Sequence, residues 1–152
     1  MSGDRGGRGG GGWPGWAGRG NEGPLTKKGK SEIREMANFL RALKVNPALV
    51  LSSPLPRAWQ TAEIAAGFLN LELRAEPDLG NGFNSAKLRK IISRHAGKNL
   101  MIVGHDPGFT NVIRDLTGNE VKLAKGGLAR IDLAEGAERG LLIWLLPPKV
   151  AR

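Results

Sequence analysis

Four apolar residues in a row, Leu100 to Val103 within NLMIVGH (99–105), constrain the fold of this chain more than any other feature. A strand with one wet face alternates apolar and polar side chains. A run without alternation must bury both faces, as strands of parallel sheets do. ALVLSS (48–53) repeats the pattern, and LELRAE (71–76) reads as a third short extended segment. Buried strands of this kind need a helical layer on each side, and the segments between them carry helical periodicity.

Thr26 is placed to cap a helix in which Ile33, Met36, Ala37, Leu40 and Leu43 recur at helical spacing. Beyond Pro54 and Pro56, Ala58, Ala62, Ala65, Ala66 and Leu69 give a second helix a small-residue face. Asn84 or Ser85 can cap a third, built on Leu88, Ile91 and Ile92. A turn at Asp106-Pro107-Gly108 leads to a fourth through Val112, Ile113 and Leu116, which Gly118 ends. GLARIDL and GLLIWLL flank AEGAERG and predict a hairpin. The pattern predicts an α/β fold: a layered, mostly parallel sheet with flanking helices and a C-terminal antiparallel hairpin.

The chain is long enough for one domain with a full core, assigned here to residues 21–152. Residues 1–20 hold ten glycines, and their few side chains cannot offset the entropy of ordering, so composition predicts a mobile Gly/Arg-rich arm. The net charge is +9; three arginines against one aspartate put +2 on the arm and leave +7 on the remainder. That field favours anionic partners: phosphorylated proteins, nucleotides or nucleic acid. Without cysteine there is no thiolate zinc site or cysteine nucleophile, and two histidines make a multi-histidine metal site improbable. The chain has no apolar run near membrane-spanning length and no apolar signal segment, so the expected address is the cytoplasm, with no membrane partner.

In open α/β sheets, ligands bind outside the carboxyl ends of the strands. Two predicted strands end there in polar groups. One ends Ser52-Ser53 and runs through the prolines to Arg57 at a helix start; the other ends Gly104-His105-Asp106. A helix N-terminus stabilises anions, and a guanidinium matches phosphate oxygens in a fork, so Arg57 can face a phosphate. On these residues alone, Arg57 could also be a surface arginine and His105 a structural histidine. His95, in RKIISRHAGK, sits at the basic end of a helix and reads as solvated surface.

LSSPLPRAWQTAEIAA (51–66) and MIVGHDPGF (101–109), with their spacing, resemble the histidine phosphatase superfamily, in particular its SixA-type phosphohistidine phosphatases. PLTKKGKSEIREMANFL, GGLARIDL, IWLLPPK and WPGWAGRGNEGPLTKKG carry the resemblance from about Trp13 to Lys149. By this likeness Arg57 is the phosphate-clamping arginine and His105 the second active-site histidine. Glu76 and Asp78, in AEPDLGNG, lie where a general acid would be sought, and could equally be solvated loop carboxylates. The resemblance implies a phosphorylated protein substrate (phosphohistidine) or another phosphate ester, with no metal or cofactor.

One part of the family pattern is missing. The family opens with an apolar strand ending Arg-His-Gly or Arg-His-Ala, whose histidine is the nucleophile. The motif is expected shortly before Trp13, where this chain reads MSGDRGGRGGGG. The expectation is therefore an inactive phosphohistidine phosphatase as written, through a displaced start or reading frame, or a family member that binds phosphate without turnover. The rival class is RNA binding through the RGG-like arm, which two short repeats and 5% aromatic content disfavour.

Overall fold

The computed structural model describes residues 11–19, 26–44, 47–95, 98–106, 108–118, 120–122, 128–133 and 141–146. Six strands form one sheet: β1 (Gly11–Arg19), β2 (Leu49–Ser52), β3 (Leu73–Ala75), β4 (Leu100–Asp106), β5 (Leu128–Leu133) and β6 (Leu141–Leu146), in the order β3-β2-β4-β1-β5-β6. β3, β2, β4 and β1 pair in parallel; β5 runs antiparallel to β1 and β6 antiparallel to β5. The predicted layered fold with its closing hairpin is what forms. The segment joining the hairpin strands, 134–140, lies outside the described residues.

β4 shows why the apolar run was decisive. Leu100 and Ile102 enter one core, with Leu88 and Ile91 of α3 (Ser85–Arg94) and Phe109, Val112, Ile113 and Leu116 of α4 (Gly108–Thr117). Met101 and Val103 enter the other, with Ile33, Met36, Ala37 and Leu40 of α1 (Lys27–Ala42) and the alanines of α2 (Pro56–Leu69). Successive side chains point to opposite faces, so a strand between two helical layers must be apolar throughout. The alanine face of α2 lies fully buried beside α1. Thr26 caps α1 through Gly29 N–H at 3.0 Å, and Asn84 caps α3 through Lys87 N–H at 2.9 Å. Gly118 follows α4 in the left-handed region, φ +77°, where glycine is unstrained. No helix among the described residues is long and apolar enough to cross a membrane.

The N-terminal segment departs from expectation. Composition assigns residues 1–20 to a mobile arm, yet Gly11–Arg19 forms β1 between β4 and β5; residues 1–10 lie outside the described residues. The reason is a backbone one. β4 and β5 each present unpaired N–H and C=O groups to the gap between them, and leaving these unmet is costly. A glycine-rich chain can fill such a gap because ladder bonds require no side chains. Pro14, opposite Arg130, contributes no N–H, so this central strand is a poor one by local propensity.

Candidate active site

β2 and β4 are adjacent and parallel, with Ser52 opposite Val103, so their polar C-terminal residues arrive at the same sheet edge. Ser53 N–H donates to Val103 O at 2.9 Å and continues the pairing one residue past β2. His105 is 8% exposed, and its Nε2 lies 2.9 Å from the Oγ of the fully buried Ser53. Four residues beyond Ser53, Arg57 sits half-buried in the first turn of α2, its carbonyl accepting the Thr61 hydroxyl at 3.0 Å.

Each neighbouring helix start is already satisfied by a side chain. Thr26 serves α1, Asn84 serves α3, and Asp106 Oδ1 accepts both Thr110 N–H at 3.1 Å and Thr110 Oγ1–H at 2.7 Å at α4. The start of α2, with Leu55 at its cap position, has no side-chain cap. The positive end of the α2 dipole and the Arg57 guanidinium thus share one turn, a combination suited to an anion. Asp106 brings a negative charge to α4 instead. Sequence reading left that capping role unassigned.

Gly104 lets the site close. A Cβ there would lie 2.6 Å from Cε1 of Phe109 and 3.1 Å from the Leu79 carbonyl. Only glycine allows α4 and the short 3₁₀ turn Pro77–Leu79 to approach β4 directly beside His105. Gly104→Ala is expected to destabilise the fold by ~1–3 kcal/mol through overpacking, read as a lower urea midpoint.

The two carboxylates considered as acids share one partner. Arg94 Nη2 donates to Glu76 Oε1 at 3.0 Å and to Asp78 Oδ2 at 3.3 Å, and Glu76 Oε2 accepts Asp78 N–H at 3.4 Å. Glu76 follows the edge strand β3, two strand spacings or ~10 Å across the sheet from β4. Among the described residues, no three His, Asp or Glu side chains gather into a metal-binding group.

His95 is half-buried at the end of α3, where solvated surface was expected. Desolvation lowers its pKa most, and the cations Lys98, Arg74 and Arg94 add to the effect against a weaker pull from Glu76. The helix dipole would favour a cation here, but burial and the surrounding positive charge outweigh it. With its native pKa depressed, His95 resists a proton that the unfolded chain accepts near pH 6.5. Stability should therefore fall as pH drops through that value towards the lower native pKa. Urea denaturation at pH 7.5 and 5.5 should show a smaller acid loss in His95→Gln than in the parent.

β1 runs parallel beside β4 and reaches the same sheet edge. In the register, Gly18 lies opposite His105 and Arg19 opposite Asp106. A residue at position 12 lies six strand residues earlier, ~20 Å from the His105 level. The part of β1 level with His105 is thus its end, at Gly18 and Arg19. There the chain reads Arg19-Gly20, with glycine following the arginine.

Comparison with known proteins identifies the family and the fold. The description of the histidine phosphatase superfamily (branch 1) matches residues 14–82. The phosphohistidine phosphatase SixA of Escherichia coli is 32% identical over 133 residues, covering 82% of this chain and 81% of that one. The structure of the protein histidine phosphatase SixA complexed with tungstate superimposes with a TM-score of 0.77 at 25% identity, covering 91% of this chain and 99% of that chain. A phosphoserine phosphatase variant of Entamoeba histolytica bound to phosphoserine shares the fold at 16% identity, with a TM-score of 0.73 and coverage of 91% and 98%. With β4, Arg57 and His105 in this setting, the chain belongs to the histidine phosphatase superfamily and is similar to its SixA proteins.

Proposed function

We propose that this chain recognises the phosphoryl group of a phosphohistidine-containing protein and, as written, holds it without covalent turnover. One observation carries the reading: Arg57 shares the uncapped first turn of α2, and Ser53 links that segment to His105 at the end of the neighbouring strand. Phosphoryl transfer on such a site is mostly positioning and electrostatics, with donors aimed at the phosphoryl oxygens. The covalent step needs a nucleophilic nitrogen to attack phosphorus in line. The chain has two histidines, His95 beside the edge strand and His105 on Ser53, and neither occupies the end of β1.

The choice of phosphohistidine follows from the leaving group. Glu76 and Asp78 are held by Arg94, which ill suits a strong general acid. Imidazole, with a pKa near 6.5, leaves far more readily than an alkoxide and makes little demand on such an acid. The name of the Escherichia coli relative supports the same substrate class. Calorimetry with tungstate, beside a phosphohistidine-protein dephosphorylation assay, tests the reading. Saturable 1:1 binding without turnover is expected; turnover abolished by His105→Ala would reassign the nucleophile and overturn it.

A further inference from the structure

We propose that Ser53 is a positioning residue that sets the tautomer of His105, an inference that rests on His105 belonging to the phosphate site. A serine hydroxyl has one proton and two acceptor lone pairs. Leu55 N–H, at 3.1 Å, takes one lone pair of Ser53 Oγ, and His105 Nε2 lies 2.9 Å away. Two arrangements are possible between the oxygen and the ring. If Nε2 carried a proton and donated it, both lone pairs would be filled, and the hydroxyl's own proton would need another acceptor. Among the described residues the side chain of Ser53 has no other partner, and at 0% exposure water does not reach it. An unmet O–H at a fully buried position is costly. The favoured arrangement has Ser53 donating to Nε2, so that the imidazole is neutral and carries its proton on Nδ1.

The backbone of Ser53 is equally constrained. Its N–H is held by Val103 O at 2.9 Å, and its carbonyl accepts the Ser52 hydroxyl at 2.8 Å. The oxygen therefore has little freedom to swing away from the ring, and it fixes the orientation of the ring as well as its proton. The geometry also separates this role from that of a nucleophile activated by an adjacent base. Such an oxygen must be open to in-line attack on phosphorus, whereas Ser53 is enclosed and already engaged by Leu55 N–H.

Long-range proton–nitrogen NMR on the full chain reads the tautomer directly, with His95→Gln identifying the His105 signals. At pH 8 the parent is expected to show a protonated Nδ1 and an acceptor Nε2. Ser53→Ala should move the population towards the Nε2-protonated form and weaken tungstate binding roughly two- to tenfold, the loss of about one hydrogen bond. Ser53→Thr, which keeps the hydroxyl, should restore both. A parent ring protonated on Nε2, or a tautomer unchanged in folded Ser53→Ala, overturns the assignment. Should Ser53→Ala fail to fold, the parent tautomer and Ser53→Thr still decide it. Absence of tungstate binding to the parent, with the tautomer response intact, would sink the phosphate reading and leave the Ser53 assignment standing.

Discussion

Gly20→His is expected to create phosphohistidine hydrolysis absent from the parent chain, through a phosphoenzyme whose label is stable to alkali and lost in acid. Arg19 ends β1 opposite Asp106, and Gly18 lies opposite His105. Writing histidine after Arg19 sets an Arg-His pair next in sequence to the strand end that is level with His105. Removing one essential member of a cooperating catalytic set can cost on the order of 10⁶ in kcat, so even imperfect restoration should exceed the parent by at least ~10²-fold. Gly12→His is the matched control. It places a histidine just before Trp13, ~20 Å along the strand from the His105 level, and should remain silent. Activity in Gly12→His but not in Gly20→His would show that another register of the N-terminal segment operates.

Arg57→Ala should weaken tungstate or phosphate binding by ~1.5–3 kcal/mol, roughly tenfold to a hundredfold, the usual worth of a hydrogen bond to a charged group. Arg57→Lys should recover only part of this, because an ammonium lacks the planar fork that spans two phosphate oxygens. Stability should change little in either variant. A cation in the first turn opposes the helix dipole, so its removal relieves a small repulsion as it deletes side-chain contacts. Calorimetry with thermal melts separates the two effects. A large loss of Tm with unaltered anion affinity would make Arg57 a structural residue of α2.

The helices and the buried strands were legible because burial leaves a periodic signature in sequence. Leu100–Val103 had to lie between two layers, and Ile33, Met36, Ala37 and Leu40 had to share one face. The likeness of the segments around Arg57 and His105 to a known family was legible for a related reason: each follows a recognisable strand and opens a helix. Local capping was partly visible too, since Thr26 and Asn84 act three residues along the chain.

Contacts between distant residues left no such trace. Ser53 and His105 are 52 positions apart, and their meeting depends on β2 and β4 becoming neighbours. Arg94 reaches Glu76 and Asp78 only once α3 packs beside the 3₁₀ turn, which turned candidate acids into ion-pair partners. The largest departure was β1. Four glycines and a proline in GGWPGWAGR argue against a strand on local propensity, and composition read the segment as loose. Side chains determined from sequence which strands had to be buried. Which backbone would fill the place between β4 and β5 was decided in the sheet, where hydrogen bonding to two flanking strands outweighs the weak preferences of a glycine-rich segment.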